Sequence, residues 1–213
     1  MWMTRARVAL PLRGVAEGEA ELNPIVPISP IDPAEAAGQA KVLLDGVKAK
    51  VGAVPNLFRV LAHAPAALDG YLGLGAALSA GRFDAALREQ IALTVAECNQ
   101  CQYCLSAHTF IGRKVGLSDA ALSEARDAGA TDARTDAILK LARAIVVERG
   151  TPRDTDIDHA RRAGVDAAAI VETVANVVHN IFSNYVNHVA GTPVDFPAVA
   201  PGADCAAAAG VRA

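Results

Sequence analysis

Aromatic side chains are scarce in this sequence, and so are the features of membrane and nucleic-acid-binding proteins. Phenylalanine, tyrosine and tryptophan make up 4% of the 213 residues, whereas hydrophobic residues make up 52%. We therefore expect a core of small aliphatic side chains at close helix approaches. The formal net charge of −3 lacks the basic excess typical of proteins that bind nucleic acids. No apolar run reaches 18 residues, so no membrane-spanning helix is predicted.

Signals for β-strands are also missing. No run of Val, Ile and Thr alternates with polar residues, and no Asn-Gly pair marks a hairpin. Helix signals recur instead: Asp84, Ser118 and Asp166 each stand where a helix would be capped. Asp32-Pro33 is typical of another helix start. The sequence predicts an all-α fold of about eight helices joined by short loops.

The length of the chain suits one domain with tails. Residues 1–23 show no periodicity and are predicted to form a flexible N-terminal tail. Residues 24–197 are predicted to form the helical domain, entered through the proline-rich extended arm Pro24–Asp32. Residues 198–213 are predicted to form a flexible C-terminal tail, where Cys205 has no expected role.

Three of the four cysteines fall in one stretch, Gln90–His108 (QIALTVAECNQCQYCLSAH). Two helices are predicted to meet at Asn99-Gln100, and the C-x-x-C pair Cys101 and Cys104 opens the second helix. At helical spacing both thiols share a face with His108, within an arc of roughly 60°. A helix N-terminus and a nearby imidazolium lower the pKa of a thiol. The arrangement therefore suits reversible disulfide or peroxide chemistry.

Two other interpretations of these cysteines stay open. Cys98 extends the motif to C-x2-C-x2-C-x3-H, a spacing that also suits a zinc or iron–sulfur site. Alternatively, the cysteines are small buried hydrophobic residues. Cys98 belongs to the preceding helix and no second cysteine group follows, so we predict no metal site and expect Cys98 to be part of the core. Clustered cysteines without a signal peptide indicate a reducing cytoplasm.

The segment Arg88–His108 (REQIALTVAECNQCQYCLSAH) resembles the core motif of the alkylhydroperoxidase D (AhpD-like) family, which belongs to the carboxymuconolactone decarboxylase superfamily. The family pattern is a glutamate, eleven residues, and then C-x-x-C-x-x-x-H, and Glu89, Cys101, Cys104 and His108 match it at every spacing. The segments VPNLFRVLAHAPAALDGYLGL and NYVNHVAGTPVDFP are similar to longer, peroxidase-related members. The resemblance implies an AhpD-like helical bundle.

The resemblance also implies a thiol-dependent peroxidase and a role for each motif residue. Cys104 would attack the hydroperoxide, and Cys101 would resolve the product into a disulfide. Glu89 would take part in a proton relay, and His108 would help to ionise the thiol. The implied partners are a hydroperoxide substrate and an external dithiol reductant, with no bound cofactor. Against this assignment, the helix dipole favours ionisation of Cys101.

Other functions remain to be compared with the peroxidase. One is a carboxymuconolactone decarboxylase-like lyase, although that branch lacks the C-x-x-C pair. Another is a non-enzymatic redox-sensing or metal-binding helical module. The resemblance further implies a homo-oligomer, either a trimer or a dimer of trimers. One branch of the family has a histidine where this chain has Tyr103, which we interpret as a packing residue.

The last predicted helix carries a stripe of asparagines at helical spacing. We interpret this stripe as an inter-helix or inter-subunit hydrogen-bond seam. The less favoured alternative places His179 or Asn180 at the rim of a pocket. The stripe consists of Asn176, Asn180, Asn184 and Asn187, flanked by His179 and His188.

Overall fold

Nine α-helices make up the regular structure of the residues that the computed structural model describes, 27–202. No strand occurs in this range, so the predicted all-α fold is confirmed. In chain order the helices are α1 (Gly38–Val51), α2 (Asn56–Leu61), α3 (Pro65–Ser79), α4 (Ala85–Cys98), α5 (Gln102–Lys114), α6 (Asp119–Arg126), α7 (Ala133–Val147), α8 (Asp154–Arg162) and α9 (Ala167–Ala190).

Helix α1 begins later than the sequence predicted. Asp32 caps only a short turn, in which its carboxylate accepts the backbone N–H of Ala34 at 2.9 Å. At Gly38 the backbone then adopts a left-handed φ of +57°, a conformation that the interior of a right-handed helix does not contain. The predicted helix start at Asp32-Pro33 is therefore wrong, because the glycine interrupts the chain before a regular helix forms.

The longer helices α4 and α9 begin where the sequence predicted. The Asp84 carboxylate accepts the N–H of Leu87 at 2.8 Å, and the Asp166 carboxylate accepts the N–H of Ala169 at 2.8 Å. Each bond satisfies a backbone donor that the first turn of a helix leaves free. These caps fix the register of the two helices that surround the cysteine motif.

Helix α4 is the centre of the core. It packs against α5, α6, α7 and α9, and its residues 90–97 are all buried. A small residue also allows α5 to approach α6 closely, because a Cβ added at Gly112 of α5 would lie 2.6 Å from Leu122 Cδ2 of α6. Alanine is frequent among the buried residues, together with Leu, Ile and Val.

Helix α9 buries its polar face and exposes its apolar face. The four asparagines of the stripe are at most 5% exposed. The opposite face of α9, which we name the α9 apolar stripe, consists of Val171, Val174, Val178, Phe182, Tyr185 and Val189, each 40% or more exposed.

No helix within residues 27–202, α9 included, is long and apolar enough to cross a membrane.

The chain after α9 returns across the helices as an extended arm. The N–H of Val199 donates to Ser106 Oγ at 3.0 Å, and the N–H of Gly202 donates to the Glu97 carboxylate. Glu97 is buried and forms an ion pair with Arg126 at 2.6 Å. The predicted tails and Cys205 lie largely or wholly in residues 1–26 and 203–213, outside the described residues, so the predicted domain boundaries stay predictions.

Candidate active site

The two cysteines of the C-x-x-C motif lie at the junction between α4 and α5. As predicted, Asn99 and Gln100 connect the helices, and Gln100 has a left-handed φ of +54°. This turn places Cys101 at the N-cap of α5, so that Cys104 lies in the first turn of that helix. Cys101 is 1% exposed and Cys104 is 2% exposed. Both thiols therefore point into the protein.

The two thiols interact directly and share their first ionisation. A hydrogen bond from the Cys104 side chain lowers the pKa of Cys101 to about 7, with help from the Cys104 backbone N–H and against the effect of burial. The same interaction raises the pKa of Cys104 well above its ordinary value, and burial adds to this rise. The N-cap position also favours charge on Cys101. The pair thus carries one thiolate near neutral pH.

Glu89 and His108 form a carboxylate–imidazole dyad. Glu89 Oε2 lies 2.7 Å from His108 Nδ1, and the two side chains are 17% and 18% exposed. Burial lowers the pKa of His108, but the charge and hydrogen bond of Glu89 together outweigh it, so the pKa is raised. A bond at Nδ1 fixes the orientation and tautomer of the ring. Nε2 is left as the nitrogen that can exchange protons with a reacting group.

The structure brings all four residues of the predicted site into one region. Glu89 contacts His108 across the α4–α5 interface, and the charge of His108 acts on Cys101. Helical spacing predicted that His108 shares a face with the two thiols, whereas Glu89 was included only because of the family resemblance. The individual roles in catalysis stay predictions.

A small cavity of about 100 Å³ adjoins the dyad. It suits a group of a few atoms rather than a whole organic molecule. His179 and Asn180 line this cavity, and a functional role for either residue stays a prediction. The cavity is lined by Gly75, Leu78, Arg88, Glu89, Ala92, His108, Asn176, His179 and Asn180.

His179 also lines two larger, mainly apolar pockets of about 300 and 560 Å³. Its ring stacks on Tyr71, with centroids 4.2 Å apart and an interplanar angle of 8°, and its Nε2 lies 3.2 Å from the Tyr71 carbonyl oxygen. Burial lowers the pKa of His179, so the ring is neutral at pH 7. The close approach requires Gly75, where a Cβ would lie 3.1 Å from His179 Nε2.

Two asparagines of α9 complete the surroundings of the thiols, and the sequence analysis did not include them in the site. Asn187 Nδ2 donates to Cys104 Sγ at 3.2 Å, and the Cys101 thiol lies 4.0 Å from the backbone carbonyl oxygen of Asn184. The helical spacing of the asparagines was the feature of the sequence that could have identified these two residues. The contacts of Asn184 and Asn187 confirm an inter-helix seam at this end of the stripe. A role of the stripe between subunits stays a prediction.

Tyr103 and Cys98 have simpler surroundings. The Tyr103 hydroxyl accepts the N–H of Leu57 at 3.1 Å, and its ring packs edge-on against Phe196 with centroids 5.8 Å apart. Tyr103 thus holds α5, α2 and the C-terminal arm together, in agreement with the packing interpretation. Cys98 is the last residue of α4 and is only partly buried, so it lies at the edge of the core rather than within it.

Comparison with protein families places this site in a known context. Residues 64–147, which include α4, α5 and the whole motif, match the model of the carboxymuconolactone decarboxylase family. No protein of curated function matches the chain at a significant level.

Solved structures share the fold at low sequence identity. An AhpD-core, uncharacterized peroxidase-related protein from Ralstonia eutropha JMP134 is 22% identical with a TM-score of 0.70, over 80% of this chain and 93% of that chain. The debrominase Bmp8 is 19% identical with a TM-score of 0.68, over 79% and 91%. An uncharacterized peroxidase-related protein from Silicibacter sp. TM1040 is 19% identical with a TM-score of 0.63, over 81% and 92%.

Proposed function

We propose that this chain, which belongs to the carboxymuconolactone decarboxylase superfamily and has an AhpD-like fold, is a thiol-dependent peroxidase. The observation that supports this proposal most directly is the buried pair of interacting thiols, whose first pKa is about 7. Glu89 and His108 form a carboxylate–imidazole dyad, and the charge of His108 acts on Cys101. An ionised thiol, a second thiol and a proton donor are the groups that hydroperoxide reduction needs.

In the first half of the proposed reaction, a thiolate of the pair attacks the terminal oxygen of a hydroperoxide. The S–O bond forms as the O–O bond breaks, and the electron pair of that bond leaves with the alkoxide. His108, whose pKa is raised by Glu89, supplies the proton that converts the alkoxide into the alcohol. Glu89 stabilises the protonated ring before this transfer and holds it in position.

In the second half, the other thiol of the pair attacks the sulfenic sulfur. The S–S bond forms, the S–O bond breaks, and the hydroxide leaves as water after it takes a proton. An external dithiol then regenerates both thiols by exchange and is itself oxidised to a disulfide. Each cycle thus consumes one hydroperoxide and one dithiol.

We assign the attack to Cys104 and the resolving step to Cys101, as the family resemblance implies. The thiolate of the resting pair lies mainly on Cys101. A proton that moves along the hydrogen bond between the two sulfurs transfers the charge to Cys104, since the two sites titrate as one unit. The Asn187 amide, which donates to Cys104 Sγ, favours the charge there.

Two alternatives have less support. Family membership alone is compatible with a decarboxylase-like lyase, but the resemblance implies that this branch lacks the C-x-x-C pair that is present here. A metal-binding module needs a set of donor side chains, and within residues 27–202 no three His, Cys, Asp or Glu residues are grouped to hold an ion. A redox-sensing module would use the same pair without turnover.

Peroxide consumption with a panel of dithiol donors tests the proposal. We expect the purified protein to consume hydrogen peroxide or an organic hydroperoxide catalytically with at least one donor. Mass spectrometry with alkylation before and after peroxide should show the loss of two thiols within one peptide. Retention of both Cys101 and Cys104 thiols under excess peroxide would contradict every redox function.

The proposal includes a cytoplasmic location and a homo-oligomer, a trimer or a dimer of trimers. Reduced thiols are maintained in the cytoplasm. The α9 apolar stripe supports self-association, because a continuous exposed apolar surface commonly marks a protein interface.

A further inference from the structure

Two buried amide atoms beside the thiols have no hydrogen-bond partner within the described residues. They are Nδ2 of Asn184 and Oδ1 of Asn187, on side chains whose residues are 0% and 5% exposed. Leaving such a group unpaired in a protein interior costs on the order of 1–3 kcal/mol. Native structures contain few of them, so two within one turn of α9, both beside Cys104, require an explanation.

In each of these two amides, one polar atom has a hydrogen-bond partner. The atoms without a partner are a donor in one residue and an acceptor in the other. Asn184 Oδ1 accepts a hydrogen bond from Asn99 Nδ2 at 2.8 Å. Its Nδ2 acts as a donor toward Cys104 and lowers the pKa of that thiol, but it has no acceptor within hydrogen-bond distance among the described residues. Asn187 Nδ2 donates to Cys104 Sγ at 3.2 Å, so its Oδ1 is an acceptor in need of a donor. An oxygen atom that carries a hydrogen satisfies both groups at once.

The remaining asparagines of the stripe differ from this pair. Asn176 Nδ2 donates to the Glu172 carbonyl at 2.8 Å, and Asn180 Nδ2 donates to the Asn176 carbonyl at 2.9 Å. These bonds lie within α9 and satisfy the amide donors. The unpaired ends are therefore confined to the part of the stripe that contacts the thiols, rather than being a property of the whole helix.

We propose that Asn184 and Asn187 form an oxygen-binding amide pair, which holds the peroxide oxygen at Cys104 and then the sulfenic acid formed from it. The hydrogen on the terminal peroxide oxygen is donated to Asn187 Oδ1, and the oxygen accepts from Asn184 Nδ2. Both bonds persist when the S–O bond replaces the O–O bond, because the oxygen and its hydrogen stay on Cys104. This inference rests on the proposed function for the source of the oxygen.

The amide pair accounts for the choice of sulfur. Ionisation favours Cys101, yet the Asn187 hydrogen bond is made to Cys104. The Asn184 and Asn187 side chains also act to lower the pKa of Cys104, against the larger opposing effect of Cys101. Oxygen transfer is thereby directed to the sulfur that the amides surround, even though the resting charge lies on its neighbour.

The test compares two reactions of Cys104 in a Cys101→Ser parent, in which no resolving thiol removes the sulfenic acid. Asn184→Leu and Asn187→Leu each remove an amide with little change in volume. Sulfenic acid formation with one equivalent of hydrogen peroxide is followed by a sulfenic-acid probe, and alkylation by iodoacetamide is followed in parallel. Alkylation joins a carbon atom to the sulfur. Its rate therefore depends on the fraction of thiolate and not on a site that binds oxygen.

We expect the ratio of the sulfenic-acid rate to the alkylation rate to fall about tenfold or more in each variant, since loss of one preorganised donor from an oxyanion site costs about 10²–10³ in rate. Thr173→Val is the matched control: Thr173 is buried on the same helix and bonds only within it, to the Ala169 carbonyl at 2.8 Å. The control should leave the ratio unchanged.

Asn184→Ala and Asn187→Ala provide the same comparison if leucine prevents folding, which circular dichroism reports. An unchanged ratio in folded variants of a reactive parent would overturn the amide pair and leave the peroxidase proposal intact. A Cys101→Ser parent that forms no sulfenic acid, while Cys104→Ser does, would overturn the amide pair and reverse the assignment of the attacking sulfur. Absence of sulfenic acid from both variants with every hydroperoxide would overturn the peroxidase proposal as well.

Discussion

The charge of one cysteine decides the pH range in which this site can react. Because the pKa of Cys101 is lowered to about 7, the pair is protonated below neutral pH and carries a thiolate above it. We expect the iodoacetamide alkylation rate of the reduced protein to rise with pH through a midpoint near 7. Cys98→Ser should keep this midpoint. A single midpoint near the ordinary value of about 8.5 would contradict the interaction between the two thiols.

Serine substitutions separate the roles of the two cysteines. We expect Cys104→Ser to abolish hydroperoxide turnover, because the attacking sulfur is lost. Cys101→Ser should undergo one oxidation to a stable sulfenic acid and then stop, because no thiol resolves it. Mass spectrometry after labelling with a sulfenic-acid probe distinguishes the two outcomes. Labelling confined to Cys104→Ser would reverse the assignment.

The dyad offers a test of proton transfer that does not depend on the thiols. Glu89 raises the pKa of His108 by charge and hydrogen bonding, so Glu89→Gln should lower that pKa. We expect Glu89→Gln and His108→Gln to slow peroxide reduction by about 10²–10⁴, the usual contribution of acid–base help. NMR titration of the His108 ring measures the shift. An unchanged His108 pKa in Glu89→Gln would rule out the coupling.

At the scale of helices, contacts between sequence neighbours were predictable and contacts between distant segments were not. Glu89 and His108 lie on consecutive helices, and the family resemblance was what placed Glu89 in the same predicted site as His108. Asn187 lies 83 residues beyond Cys104, and no periodicity states which helix a stripe will face. The amphipathic pattern of α9 was visible, but its polar side is the buried one, contrary to the usual rule.

The start of α4 can be tested as an element that supports the site. Asp84→Ala removes the bond to the Leu87 N–H, and we expect a loss of about 0.5–2 kcal/mol in the free energy of unfolding. Urea denaturation measures this loss. Asp45→Ala is the control, because its exposed pair with Lys41 contributes little. Equal effects of the two substitutions would contradict the cap.

At the scale of the whole molecule, the fold class followed from the absence of strand signals and the presence of caps. The location of a subunit interface did not follow from the sequence, because it depends on which side of α9 is exposed. The asparagines that supported an inter-subunit seam are buried within the chain. The opposite side of the same helix, where the α9 apolar stripe lies, is therefore the better-supported candidate for the seam.

Charged residues on that stripe test the oligomer. Val171 and Val189 are 68% and 71% exposed, so a monomer accommodates glutamate at both positions. If the stripe joins subunits, burial of two carboxylates is strongly unfavourable, and we expect the double variant Val171→Glu/Val189→Glu to be monomeric in light scattering. Val42→Glu, 70% exposed on α1, is the control for added charge. A native mass in the double variant would place the interface elsewhere.

The burial of the two thiols should affect the two halves of the proposed cycle, oxidation by a hydroperoxide and reduction by a dithiol, in different ways. A hydroperoxide needs to bring only two oxygen atoms to sulfurs that are 1% and 2% exposed, and a cavity of about 100 Å³ leads to the adjoining dyad. A dithiol must instead align a larger sulfur with the disulfide axis, and we expect this to require an opening of the α4–α5 junction. In the proposed cycle, reduction of the disulfide should therefore be slower than its formation. Turnover should saturate at the opening rate, with the same ceiling for chemically different dithiols.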